Sequence, residues 1–315
     1  MERLKYILII IIVLFSTEAK IAEEAFAVED DLYPETVEEL SLKPVVFSAL
    51  VPGAGQIYTG QYVRGGTIIA FEAITGLSAL YWNREHKTRE LVVDDLRDSL
   101  ALYKRRMDGV QGERLDSLRR RYIHLSLNHS GAAHISTEAL YRSYNALAWM
   151  TGGYIYSLFD AASGSGIFKE KNSPGNPVKA AWLAAIPGLG LGQLYNGQIS
   201  KAGMIMMTQF SLGITALNYN RLMNNASRHY NILRDQNRDE YAFRNEFSSF
   251  WAAKYDAAFS NRNTFLWYSL AFYLYSILDA VVDAHLSDFN NKTGVRPDIA
   301  VDNSGVAFTL SFALR

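Results

Sequence analysis

The chain has 315 residues, a net charge of −1 and no cysteine. Disulfides, thiol chemistry and a cysteine-linked lipid anchor are therefore excluded, and there is no bulk electrostatic case for nucleic-acid binding. Aromatic residues make up 13% of the chain, with 19 Tyr and 16 Phe, which suits rings that keep one end apolar and one end wet, as at a membrane interface.

In chain order, the first predicted element is an export signal. Arg3 and Lys5 precede an unbroken apolar run over 6–15. That run is too short for a spanning helix, which needs ~20 residues, but it fits a signal-peptide core. The signal is placed at 1–27, with cleavage after Ala19 or Ala27. An acidic, flexible segment follows at 28–41.

The next feature occurs twice. Pro52-Gly53-Ala54-Gly55-Gln56-Ile57-Tyr58-Thr59-Gly60-Gln61 returns as Pro187-Gly188-Leu189-Gly190, two further residues, then Gln193-Leu194-Tyr195-Asn196-Gly197-Gln198. The correspondence continues at a fixed offset, pairing Arg64 with Lys201 and Glu72 with Gln209. A second pair, 154–161 and 273–280, ends in Asp160-Ala161 and Asp279-Ala280. The chain thus reads as a duplication, with unit one at 42–172, unit two at 177–289 and a tail at 290–315.

In each unit a proline stops a short apolar helix (45–51 and 180–186), because its ring cannot continue the helical ladder. Glycines permit positive φ, and a Gln is placed to bond freed backbone groups. The motif residues are Pro52, Gly53, Gly55, Gln56 and Tyr58, and Pro187, Gly188, Gly190, Gln193 and Tyr195. They predict broken, re-entrant turns. Without a following GK[ST] or a strand, they are not phosphate loops.

Four apolar stretches approach spanning length: 65–82, 144–162, 202–219 and 264–282. If the signal leaves the mature N-terminus outside, the insert 83–143 lies inside with twelve Lys/Arg, and 163–201 lies outside with four. The insert 220–263 lies inside with seven, and the tail lies outside with three. This alternation follows the positive-inside bias and puts both motifs and the C-terminus on the periplasmic side. Charged helices over 84–107 and 221–256 are expected to extend the first helix of each pair.

Asp160 and Asp279 fall at equivalent places near helix C-termini, where a carboxylate needs a partner. The expected ion pairs are Arg64–Asp160 and Lys201–Asp279. Glu72 and Gln209 are candidates for a polar path. Asp279 and Asp283 share a helix face and are the only metal candidates, against a reading with no metal and no cofactor. In the tail, bulky residues at every second position (Val306, Phe308, Leu310, Phe312, Leu314) predict a strand.

The stretch 48–58, with its PGAGQIY motif, and the stretch 278–286, with DAVVDAHL, resemble the opening and closing signatures of an uncharacterised bacterial envelope or membrane protein family, a domain of unknown function. The arginine-rich approach to the last helix in that family is reduced here to Arg262. The resemblance implies an envelope location and leaves the activity open.

The expected fold is an all-α membrane protein of two tandem repeats. Each repeat is a Pro-Gly-broken short helix followed by a helix pair, with polar helical inserts and a short C-terminal strand. The expected role is non-enzymatic: a structural or scaffolding protein of the bacterial inner membrane. Its partners are the lipid bilayer and an envelope protein met through the tail strand or inserts, with no nucleic acid. The alternatives are a small transporter or channel with Glu72 and Gln209 on its path, and a membrane-embedded metal-dependent hydrolase using Asp279 and Asp283.

Overall fold

The computed structural model describes residues 42–165, 176–235, 241–293, 295–302 and 305–312, with side chains over 42–165, 176–231 and 247–287. The expected signal, the acidic segment and most of the linker at 172–177 lie outside the described residues. Eight helices are described: α1 Lys43–Leu50, α2 Ala54–Tyr58, α3 Tyr62–Met107, α4 Glu113–Ser163, α5 Pro177–Ala184, α6 Leu191–Tyr195, α7 Ile199–Asp235 and α8 Tyr241–Thr293. Two strands, β1 Val295–Asp302 and β2 Gly305–Phe312, pair antiparallel, with Val295 opposite Phe312 and Asp302 opposite Gly305.

The helix boundaries follow local chemistry. Proline stands in the first turn of both α1 and α5, where its missing N–H has no intrahelical partner to lose. Asn176 caps α5 by accepting the Lys179 N–H at 3.1 Å. The Pro-Gly motifs contain more helix than expected. After each turn a five-residue helix, α2 or α6, packs back on α1 or α5 before the long helix begins. In the second charged insert α7 is described to Asp235 and α8 from Tyr241. The tail forms a hairpin where one strand was expected, because Pro297 and Asp298 in β1 hide its alternation.

The chain forms two compact units that cut across the tandem segments. Unit 1 gathers described residues within Met1–Ala73, Thr151–Gln209 and Phe272–Arg315; unit 2 gathers Ile74–Met150 and Phe210–Ala271. Unit 1 has an alanine core of Ala180, Ala184, Ala280 and Ala284, covered by Tyr195 and Ile277. Unit 2 is centred on Trp251, which is 1% exposed. His134 meets its ring edge-on at 5.1 Å, and His229 stacks on it at 4.4 Å.

Among the described residues, two helices are long and apolar enough to cross a membrane: α3, and α8 over Phe247–Ser287. Only 22% and 11% of their apolar windows is buried, so the apolar surface faces outward. On α8 the exposed Leu266, Trp267, Leu270, Leu274, Leu278 and Val282 cover roughly 24 Å of helix at 1.5 Å per residue. Four such helices were expected, and the composition of α4 and α7 explains the difference. Their small and polar residues lie inward and bond neighbouring helices. In unit 2, Ser143 Oγ donates to Ala79 O at 2.9 Å and Ser211 Oγ to Ala148 O at 3.1 Å. Asn218 Nδ2 donates to Asn145 Oδ1 at 2.7 Å. Such groups lower apolarity while letting helices approach closely.

Candidate functional site

Unit 1 contains two hydrogen-bonded clasps, each joining a Pro-Gly motif to an aspartate near the end of a long helix. Clasp 1 begins at Gly53, whose φ of 91° is left-handed and natural only to glycine. A Cβ there would also stand 2.5 Å from Gly65 O. The Gly53 N–H donates to Ser157 Oγ at 2.8 Å. One turn on, buried Gln56 donates from Nε2 to Ser157 O at 3.0 Å and to Asp160 Oδ2 at 3.1 Å. Ser48 completes the amide: its Oγ donates to Gln56 Oε1 at 3.0 Å and accepts the Gly55 N–H at 3.1 Å. The other Asp160 oxygen meets Arg64 Nη2 at 2.6 Å and accepts from Ser200 Oγ. Arg64 Nη2 also donates to Ser200 Oγ at 2.9 Å. Tyr154 closes the outer edge, its hydroxyl donating to Ala49 O at 2.8 Å.

Clasp 2 repeats this plan with different chemistry. Gly190 has a φ of 56°, and a Cβ there would stand 2.8 Å from Ala202 O. Fully buried Gln193 donates from Nε2 to Ser276 O at 2.7 Å and Asp279 Oδ2 at 3.3 Å. Tyr273 donates to Ala185 O at 2.8 Å. Lys201 Nζ reaches Asp279 Oδ1 at 3.1 Å and Asp283 Oδ2 at 2.7 Å. Burial works against the ammonium, but its hydrogen bonds to Asp283 and Asp279 outweigh that and hold Lys201 above its ordinary range.

The two clasps correct the reading of the motif. Gly190 takes the place of Gly53, and Gly192 that of Gly55. The extra residues therefore precede Gly190 instead of following it. Gly188, with a φ of 82° and open space where a Cβ would stand, lies in the longer turn.

Sequence reasoning missed Ser48, Ser200 and Asn196, whose Nδ2 donates to Ala280 O at 2.7 Å, since none has a like residue in the other copy. It passed over Ser157/Ser276 and Tyr154/Tyr273, although both pairs sit at matching places in the second repeated segment. Tyr58 packs on Phe47 with ring centroids 4.9 Å apart. Tyr195 lies on the alanine core, with Lys179 Nζ 5.1 Å from its ring centre. Glu72 packs on Gly153, where any side chain would collide with its carboxyl, and Gln209 holds the matching position on α7.

Chemically, each clasp holds a carboxylate saturated by its own chain. In clasp 2 the Lys201 ammonium stands between Asp279 and Asp283, the residues considered for a metal. No group of three or more His, Cys, Asp or Glu is placed to hold a metal ion among the described residues. No curated protein and no solved structure matches the chain. Over residues 173–314, which take in the second motif, both carboxylates of clasp 2 and the hairpin, it is similar to a family of unknown function (DUF5683).

Proposed function

We propose that this is a non-catalytic, membrane-embedded structural protein of the bacterial cell envelope, made of two copies of one clasped helix unit. The observation that carries the reading is the engagement of both aspartates. Asp160 and Asp279 each receive a glutamine amide and a cation from the same chain. This fixes helix ends and leaves each carboxylate committed to structure. The outward apolar faces of α3 and α8 supply the lipid contact. The export signal at 1–27 and the charge alternation of the loops support insertion in the inner membrane with the motifs on the periplasmic side. The hairpin or the charged helical ends would meet an envelope partner.

Carbonate extraction combined with reporter fusions after Trp82, Ala162 and Tyr219 tests this reading. The protein stays with the membrane pellet. The fusions after Trp82 and Tyr219 report the cytoplasm, and the fusion after Ala162 reports the periplasm. Release into the soluble fraction would overturn the proposal.

A further inference from the structure

Unit 2 contains a cavity of about 320 Å³ that neither clasp uses. Among the described residues its walls carry three cations, Arg89, Arg142 and Lys254, with Trp82, Ile135 and one carboxylate, Glu138. Glu138 is shared: Arg142 Nη2 meets one oxygen at 2.7 Å and Lys254 Nζ the other at 2.8 Å. Arg89 is held by Glu85 at 2.8 Å. The cluster stays net positive after both carboxylates are counted. Arg142 also lies over the Trp82 ring, 4.5 Å from its centre, which fixes the guanidinium plane while leaving N–H groups beyond those given to Glu138.

The position of the cavity says what the excess charge is for. Trp82 ends the apolar stretch of α3, and Arg89 lies about two helical turns, or ~10 Å, beyond it. Exposed Tyr81 and Tyr144 stand at the same boundary, as aromatic residues do at the edge of a bilayer. A headgroup layer extends roughly 5–8 Å outside the hydrocarbon, which spans the distance from Trp82 most of the way to Arg89. Basic pockets between helices on the cytoplasmic side suit anionic headgroups, and the loop-charge alternation puts this end inside. We propose that the cavity walled by Trp82, Arg89, Arg142 and Lys254 binds the phosphate-bearing headgroup of an anionic lipid. This rests on the membrane reading above. The phosphate would draw on the free donors of Arg142 and Lys254, and the acyl chains would lie along the exposed faces of α3 and α8.

The test is lipid retention by the purified full chain in detergent micelles, followed by native mass spectrometry with phosphatidylglycerol and phosphatidylcholine supplied together. Phosphatidylglycerol is retained preferentially. The Arg142→Gln/Lys254→Gln variant reduces its retention by at least about fivefold, and charge-keeping Arg142→Lys/Lys254→Arg preserves it. Arg89→Gln breaks only a surface pair and lowers retention by roughly threefold, which covers the case in which the double variant fails to fold. Arg120→Gln/Arg121→Gln, at the far end of α4, leaves retention unchanged. Equal retention of both lipids by the wild type would overturn the site, as would an unaffected Arg89→Gln variant. Displacement of the lipid by millimolar inorganic phosphate would also overturn it, assigning the pocket to free phosphate. Carbonate extraction of the same wild-type protein separates the two failures: a protein kept in the membrane without lipid preference loses only this site.

Discussion

The two clasps solve one problem with different means. Each must bind a kinked backbone to an aspartate at a helix end. Clasp 1 does so with neutral bookends: Ser48 satisfies the glutamine carbonyl and Ser200 joins Arg64 on Asp160. Clasp 2 has Ala184 packed on Gly192, where clasp 1 has Ser48 on Gly55. The Gln193 Oε1 atom is correspondingly buried without a hydrogen-bond partner among the described residues. It compensates with charge, because Asp283 adds a second carboxylate around Lys201 where the first repeat has Gly164. The glutamine, the left-handed glycine and the aspartate are shared, so the joint depends on these. The surrounding groups vary and set how much the loss of any one member costs.

The largest expected effect separates the clasps by redundancy. Asp160→Asn removes the buried charge on which Gln56, Arg64 and Ser200 converge and costs about 3 kcal/mol. Asp279→Asn costs about 1 kcal/mol, because Asp283 stays on Lys201. Denaturant unfolding in micelles checks the order, and equal losses would break the comparison. Next, Ser48→Ala leaves Gln56 Oε1 and the Gly55 N–H unpaired in clasp 1 and costs about 2 kcal/mol. The reverse change, Ala184→Ser, supplies clasp 2 with the hydroxyl it lacks and adds about 1 kcal/mol. A destabilised Ala184→Ser protein would show that the two sites are not equivalent.

The smallest effect lies in unit 2 and is read through pH. Burial holds His134 and His229 below their ordinary value of 6.5. The unfolded chain therefore takes up protons first, and this contribution to stability is full above pH 6.5 and declines as the pH falls below it. Burial raises Glu138, but bonds from Lys254 and Arg142 more than reverse this and hold it below 4.5. Its contribution persists to lower pH and is lost below that value. Thermal melts followed by Trp fluorescence at pH 7.5 and 5.5 should show the His134→Gln variant gaining midpoint relative to the wild type on acidification.

The backbone plan was legible because the sequence states it twice: Gly53, Gln56 and Asp160 are matched by Gly190, Gln193 and Asp279. The charged pairs were legible because a carboxylate near a helix end demands a cation, and each copy offers one after its motif. What is asymmetric was not legible. Ser200 bonds Asp160 from the other copy, and no spacing rule within a repeat predicts that. The register of the second motif was misread because two glycines compete for one left-handed position, and only the close approach to Ala202 selects Gly190. The inward polar residues of α4 and α7 weakened two apolar stretches in composition while strengthening their packing.

The most direct test of the central claim, two like units set in a membrane with their joints on one side, uses the absence of native cysteine. Thr59→Cys and Leu189→Cys place exposed thiols in the two motif turns, and Gln111→Cys places one between α3 and α4. An impermeant maleimide added to spheroplasts should label positions 59 and 189 alike and position 111 only after the membrane is opened. Labelling of 59 and 189 from opposite sides would contradict the account.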